Sequence, residues 1–152
     1  MARVHHSAIG TRDVDDSLTF WRDGLGLEIL MDHQFTGDWP GLFGGSSTEL
    51  RSIFLGDPSE PGAGVVELVV LDDMVDPPQA TSPATGFFLL SLFADIDVVL
   101  PRLADLGVGG VPKVVDVQGV RLAVVHDPNG VRVELMDSPA QSNLGRLADT
   151  VE

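Results

Sequence analysis

The 152-residue sequence contains no cysteine, and this absence excludes several kinds of site at once. Without thiols the chain forms no disulfide bond, holds no metal ion through thiolates and uses no cysteine nucleophile. A metal site or a catalytic group in this protein must therefore be built without thiols.

Basic residues are also scarce, because 9 lysines and arginines face 23 aspartates and glutamates, for a formal charge of −14. An acidic surface repels phosphate backbones, so nucleic acid is not an expected partner. Cationic small molecules are tolerated or attracted by such a surface, although the simplest consequence of the charge is solubility.

Long hydrophobic runs are missing as well. The first twenty residues are interrupted by Arg12, Asp13, Asp15 and Asp16, which is not the pattern of a signal peptide. No run approaches the length of a membrane span. We therefore expect a cytoplasmic protein without a membrane partner. The hydrophobic fraction of 43% over 152 residues predicts a single globular domain, residues 1–152.

The first half of the chain, residues 3–71, has the order strand, helix and three strands. Asp13 is suited to cap a helix whose apolar residues recur at helical spacing, and glycines at 24 and 26 end it. An irregular stretch, Asp32–Glu49, follows the second strand. The predicted strands of this half are Arg3–Gly10, Leu27–Met31, Leu50–Leu55 and Val65–Leu71.

A proline-containing linker, residues 72–85, separates this half from a second one, residues 86–137, in which the same order recurs. Asp127-Pro128-Asn129-Gly130 is a strong hairpin turn between its last two strands. Residues 138–152 form a tail, either a short helix or a frayed end. The predicted elements of the second half are the strand Phe87–Phe93, the helix Val98–Leu106 and the strands Val111–Val117, Arg121–Val125 and Val131–Met136.

Two motifs within this duplicated βαβββ pattern resemble those of the vicinal oxygen chelate superfamily. The first runs from His6 to Asp13 and on through the helix Ser17–Gly26, and the second is the closing run Asp127–Leu135. The superfamily includes glyoxalase I, methylmalonyl-CoA epimerase, extradiol dioxygenases and bleomycin-resistance proteins, and the resemblance covers about residues 3–137. It implies an α+β fold in which two βαβββ modules form a curved mixed sheet around a cup-shaped cavity. It also implies a homodimer.

The resemblance further implies a metal site with three ligands, His6, Glu67 and Glu134. The two carboxylates are also the implied catalytic groups. Counting back seven residues from Asp95 gives Phe88 at the fourth ligand position, so the site is incomplete. One histidine and two carboxylates are still able to hold Zn²⁺, Ni²⁺, Mn²⁺ or Mg²⁺ if water or substrate oxygens fill the other positions.

Six residues are candidates for binding a small-molecule ligand. The bulky aromatics of the glycine-rich stretch suggest a lid, or else a loop packed onto the sheet or a second subunit. Phe88 would form an apolar wall or, together with Phe87, part of the core. Two arginines on strands would bind an anionic group at the cavity mouth, or else remain surface charges. The six are Phe35, Trp39, Phe43, Phe88, Arg51 and Arg121. By strand alternation His5 should face away from His6.

Two functions remain open at this point. The first is a divalent-metal-dependent lyase, isomerase or epimerase that acts beside a carbonyl group through His6, Glu67 and Glu134. The second is a metal-free protein that sequesters or carries a hydrophobic or cationic small molecule, in antibiotic resistance or natural-product chemistry. Extradiol dioxygenase chemistry is disfavoured because the second histidine of its iron site is missing.

Overall fold

The computed structural model describes residues 1–62, 64–78 and 83–137. The chain divides into two compact units, Met1–Pro83 and Ala84–Glu152, and each is described by itself. The predicted tail, residues 138–152, lies outside the described residues, as does part of the predicted linker.

The first unit is a four-stranded mixed sheet with its helical segments between the strands. The strand order is β1-β4-β3-β2, with β1 parallel to β4 and the other pairs antiparallel. A π-helical segment, Thr19–Gly24, continues the first helix. The elements are β1 His6–Gly10, α1 Val14–Leu18, β2 Glu28–Thr36, α2 Trp39–Phe43, β3 Glu49–Gly56 and β4 Val65–Val70.

The second unit repeats this topology with a sheet of order β5-β8-β7-β6. Its first strand, β5, is parallel to its last, β8, just as β1 is parallel to β4. The α+β fold with two βαβββ modules is therefore confirmed. The elements are β5 Leu90–Ala94, α3 Ile96–Asp105, β6 Val114–Val117, β7 Val120–His126 and β8 Arg132–Asp137.

An aspartate caps the first helix of each unit, as the sequence predicts for Asp13. The Asp13 carboxylate accepts a hydrogen bond from the backbone N–H of Asp16, and the Asp95 carboxylate accepts from those of Asp97 and Val98. These bonds satisfy N–H groups that have no partner within the helix.

Helix α1 and the π-helical segment that continues it cover one face of the first sheet, and α3 covers one face of the second. Phe20 and Trp21 are fully buried in the first unit, and Ile96, Val99 and Leu103 are buried in the second. Burying a large apolar side chain stabilises the fold by about 1.5–3 kcal/mol. Side chains alternate along a strand, so every second strand residue faces the helix-covered side of its sheet. The residues between them lie on the opposite face, which we call the open face.

Several predicted boundaries of the first unit are wrong. β1 begins at His6 rather than at Arg3, and β2 continues to Thr36 within the stretch predicted to be irregular. The pairing of β2 with β3 shifts register between Ile29 and Met31, and beyond that bulge the strand pairs as far as Glu49. The rest of the stretch contains α2, which Asp38 caps through the N–H of Gly41.

The second unit also departs from the prediction in its first strand and its helix. β5 begins at Leu90, so Phe87 and Phe88 precede it, and both side chains are exposed rather than in the core. Helix α3 begins two residues early, at Ile96, and β6 begins at Val114.

The predicted hairpin turn is confirmed. The backbone N–H of Gly130 donates to the carbonyl of Asp127 at 3.1 Å, and Gly130 adopts φ 83°, where glycine is favoured. The Asp127 carboxylate accepts from the N–H groups of Asn129 and Val131. Within the part of the chain that the structure describes, no helix has both the length and the apolar character needed to cross a bilayer.

Candidate functional site

A cavity of about 700 Å³ lies on the open face of the first sheet. Every strand of this sheet contributes to it, because alternate residues of each strand face the same side. Helix α2 and the segment after β4 supply the rest of the wall. The lining residues are His6, Ala8, Gly10, Met31, Phe35, Trp39, Phe43, Leu50, Ser52, Phe54, Glu67, Val69, Leu71 and Met74.

Three of these side chains, His6, Ser52 and Glu67, lie in polar contact and form a group that we call the polar centre. The Nε2 atom of His6 lies 3.0 Å from Oε2 of Glu67. The hydroxyl of Ser52 donates to Oε1 of the same carboxylate at 2.5 Å. Both oxygens of Glu67 are therefore held, and the carboxylate has one orientation.

The register of the strands brings the polar centre together. β4 is a valine-rich strand, as is typical of a buried sheet position, and Glu67 is its one charged residue. Ala8 lies opposite Glu67 on the parallel strand β1, and Phe54 lies opposite it on β3. His6 is two residues before Ala8, and Ser52 is two residues before Phe54, so both share the face of Glu67.

The three side chains of the polar centre differ in how far they are exposed to solvent. The Glu67 side chain is 13% exposed and that of His6 is 36% exposed. Ser52 is buried. A carboxylate removed from water needs polar partners, and here it has the Ser52 hydroxyl as a hydrogen-bond donor and the His6 imidazole in contact. A ligand that enters the cavity therefore meets an oriented carboxylate and an imidazole at the end of an apolar wall.

The polar centre fits a divalent metal ion in part. Its imidazole nitrogen and carboxylate oxygen are 3.0 Å apart, roughly the distance of about 3 Å that separates adjacent ligands with metal bonds near 2 Å. Ser52 would fix the ligating carboxylate from behind. In the described residues, no group of three or more histidine, aspartate or glutamate side chains is placed to hold a metal ion. The three-ligand set that includes Glu134 stays a prediction.

Aromatic side chains from α2 and from the strands form much of the apolar wall of the cavity. The rings of Trp39 and Phe43 are nearly parallel, with 3° between their planes and 6.0 Å between their centroids. The indole N–H of Trp39 donates to the carbonyl of Phe35, which fixes the ring. The structure thus places all three predicted aromatics on the cavity wall. Phe35 does so from β2 rather than from a loop.

The two arginines predicted to reach a cavity mouth do not line this cavity. Arg51 lies on the helix-covered face of β3, where its guanidinium makes two hydrogen bonds to the carboxylate of Asp32. Arg121 lies on the helix-covered face of β7 and binds Asp97 and Asp137. Each guanidinium is paired with carboxylates within its own unit, and a ligand-binding role for either stays a prediction.

Ion pairing also shifts the pKa values of these groups. The hydrogen bonds from Arg51 lower the pKa of Asp32, and those from Arg121 lower the pKa of Asp97, below the usual range. In each pair the carboxylate raises the pKa of the arginine. These pairs therefore stay charged at neutral pH.

The fourth ligand position does not fall on Phe88. Ser91 lies opposite Glu134 in the pairing of β5 with β8, as Ala8 lies opposite Glu67. The residue two before Ser91 is Leu89, which is therefore the counterpart of His6. Phe88 is half exposed, and the guanidinium of Arg132 lies 4.7 Å from its ring centroid. The count from Asp95 fails because Leu89 precedes the capping residue Asp95 by six positions, whereas His6 precedes Asp13 by seven.

Glu134 has a simpler environment than Glu67. Its Oε1 accepts a hydrogen bond from the hydroxyl of Ser91 at 2.9 Å. By register, the counterpart of Ser52 on β7 is Leu122, which lies opposite Met136 as Ser52 lies opposite Val69. The open face of the second sheet has therefore replaced two members of the polar centre by leucine.

Comparison with known proteins agrees with the fold and the motifs. The model of the glyoxalase, bleomycin resistance protein and dioxygenase superfamily matches residues 3–135. The chain belongs to this superfamily. Members of the superfamily generally bind divalent metal ions.

One relative within the superfamily is the lactoylglutathione lyase-like protein terB of Aspergillus terreus, which is 34% identical over 94% of this chain and 79% of its own length. A glyoxalase family protein from Bacillus cereus has a similar structure, with a TM-score of 0.71, 21% identity and coverage of 90% and 94% of the two chains. The trypanothione-dependent glyoxalase I of Leishmania major gives a TM-score of 0.69 at 20% identity, over 97% and 95%. These structural likenesses show the fold alone.

Ser52 is the member of the polar centre that the sequence did not predict. Its only signal is a hydroxyl at an alternate position of an apolar strand, between Leu50 and Phe54. The orientation predicted for His5 was wrong, since its Nδ1 lies 2.9 Å from Nδ1 of His6 and its ring contacts Phe54. His5 precedes β1, so strand alternation does not govern it.

Proposed function

We propose that this superfamily member is a glyoxalase-type enzyme in which Glu67 moves a proton at a carbon beside a carbonyl group. The observation that carries the proposal is the Glu67 carboxylate, held by His6 and Ser52 at the end of an apolar cavity. A fixed carboxylate at the end of a largely apolar cavity is a suitable general base.

In this proposal, separate residues bind the substrate, orient the carboxylate and transfer the proton. The apolar wall binds the substrate and excludes water, and Ser52 holds the carboxylate of Glu67 towards the bound molecule. Glu67 takes a proton from the carbon, and the electron pair of that C–H bond moves to the adjacent carbonyl oxygen. Return of the proton to the opposite face of the same carbon completes an epimerisation. If that carbon carries a hydroxyl group, the hydroxyl proton passes to the oxygen of the former carbonyl group and the abstracted proton passes to the neighbouring carbon, which completes an isomerisation.

His6 and Glu67 are the residues that would hold a divalent ion, one of Zn²⁺, Ni²⁺, Mn²⁺ or Mg²⁺. When bound, such an ion polarises the carbonyl group and so acidifies the neighbouring C–H bond. The role of Glu134 as a third ligand and second carboxylate is proposed from the sequence pattern. Its substitution by glutamine tests that role separately.

Deuterium exchange tests the proton transfer. The α-protons of 4-phenylbutan-2-one, a methyl ketone with one aromatic ring, can be followed by proton NMR in D₂O with enzyme and metal present. We expect the protein to accelerate exchange and Glu67→Gln to reduce the acceleration by about 100-fold or more. Glu60→Gln, at an exposed turn, is the matched control and should leave exchange unchanged.

A second candidate function is metal-free binding of a small apolar molecule. The observation in its favour is that both oxygens of Glu67 already have partners within the protein, while most of the cavity wall is apolar. On this alternative the ketone would bind saturably without any exchange, and Glu67→Gln would leave its affinity unchanged. Both candidate functions require a small-molecule ligand.

We also propose that the protein is a homodimer, which sedimentation measurements can test.

A further inference from the structure

The cavity contrasts with a site for an anionic substrate. Among the described residues, its lining contains neither lysine nor arginine, and its only charged groups are Glu67 and, when protonated, His6. The aromatic rings of Phe35, Trp39, Phe43 and Phe54 make up much of the wall.

The arginines of the first unit bind carboxylates elsewhere. Arg12 pairs with Asp76, Arg22 with its neighbour Asp23, and Arg51 with Asp32. The remaining one, Arg3, is an exposed residue of the N-terminal segment outside the lining. No lysine occurs in residues 1–83. The described residues of this unit therefore present no unpaired cation to a ligand in the cavity.

We infer that the substrate of this site is a neutral, ring-containing ketone or aldehyde, and not a conjugate of glutathione or another anionic carrier. The inference rests on the proposed function, which requires a carbonyl group in the substrate. The neutral ring is inferred from the residues that line the cavity.

Electrostatics and shape both support this class of substrate. Glutathione conjugates carry carboxylates, which the Glu67 carboxylate and the overall charge of −14 repel. Sites that bind such groups usually supply arginine or lysine. A cavity of about 700 Å³ lies within the range of about 300–1,000 Å³ for sites of small organic ligands. The parallel rings of Trp39 and Phe43 offer flat surfaces to a planar ring.

Three probes that share a phenyl-alkyl group separate the possibilities: 4-phenylbutan-2-one, 4-phenylbutanoate and S-benzylglutathione. Isothermal titration of each into the protein without added metal should show the neutral ketone binding at least about tenfold more tightly than either anion. Raising the salt concentration should improve the binding of the anions and leave that of the ketone unchanged, because salt screens repulsion between like charges.

Two residues of α2 provide a matched pair of variants. Phe43 and Leu42 are similarly exposed, at 65% and 71%, but only Phe43 lines the cavity. Phe43→Ala should weaken ketone binding by about tenfold, and Leu42→Ala should leave it unchanged. A ketone that fails to bind, or that loses equal affinity in both variants, would overturn the inference. S-benzylglutathione binding as tightly as the ketone would also overturn it.

The outcomes distinguish this inference from the proposed function. A ketone that binds at the Phe43 wall but exchanges no protons supports the inference and contradicts the proposed chemistry. Catalysed exchange that requires a glutathione conjugate of the carbonyl compound supports the chemistry and overturns the inference.

Discussion

The Nε2 atom of His6 lies 3.0 Å from Oε2 of Glu67, across the parallel pair β1 and β4. Ser52, from β3, holds the other oxygen of the same carboxylate. Three strands thus fix one acidic group at the end of a largely apolar cavity. The proposed proton transfer depends on this orientation.

Ser52→Ala should weaken the function more than the fold. Loss of the hydroxyl removes one hydrogen bond, which costs about 1 kcal/mol in unfolding free energy. It also frees the Glu67 carboxylate to rotate, and loss of such a supporting contact typically lowers metal affinity or activity by about 10–100-fold. Ser59→Ala is the control, since it removes an exposed serine–aspartate hydrogen bond in a turn. Deuterium exchange and urea denaturation of both variants measure the two effects, and equal losses of exchange would contradict the role of Ser52.

Leu89→His should create a second histidine–carboxylate pair, and Phe88→His should not. Leu89 is the register counterpart of His6 and lies two residues before Ser91, which is opposite Glu134. Phe88 is one residue further back, beside Arg132. Zinc titration followed by calorimetry should therefore show added binding in Leu89→His alone. If Phe88→His gained the binding instead, the register argument would be wrong.

The two tryptophans should differ sharply in their contribution to stability. Trp21 is fully buried beneath the first sheet, so Trp21→Ala should cost about 3–5 kcal/mol of unfolding free energy. Trp39 is partly exposed on the cavity wall, and Trp39→Ala should cost well under half as much. Chemical denaturation of both variants measures the difference. Comparable losses would indicate that α2 is a structural element rather than a ligand-binding one.

The pair of Asp32 and Arg51 should stabilise the fold only above acidic pH. Hydrogen bonds from Arg51 lower the pKa of Asp32 in the folded protein. A carboxyl group whose folded pKa is lowered stabilises the fold above its unfolded pKa, about 3.9, and this contribution is lost as the pH falls through the folded value. Both side chains are more than a third exposed, so Asp32→Asn should cost no more than about 1 kcal/mol at pH 7. The cost should disappear well below pH 3.9, as urea denaturation at the two pH values would show. An equal cost at both would point to packing instead.

The sequence predicts the parts of the site that local patterns specify. His6 and Glu67 follow from the family motifs, Asp13 from helix capping, and Asp127–Gly130 from turn chemistry. Ser52 has no such signal, because the sequence pattern of a serine in an apolar strand is the same whether or not a carboxylate lies beside its hydroxyl group. The partner of Arg51 was missed because Asp32 lies in a stretch where β2 was not predicted to continue. Leu89 was missed because only strand pairing reveals the one-residue difference between the units.

A metal titration of the wild-type protein tests the central claim most directly. We expect Zn²⁺, Ni²⁺ or Mn²⁺ to bind to the chelator-free protein, and His6→Ala and Glu67→Gln each to abolish that binding because two donors of the polar centre are required. His126→Ala, at an exposed position of the second unit, should bind metal normally. If wild-type protein binds none of these ions even at millimolar concentration, an affinity weaker than about −4 kcal/mol, the metal-assisted enzyme is contradicted and the metal-free binding function is favoured.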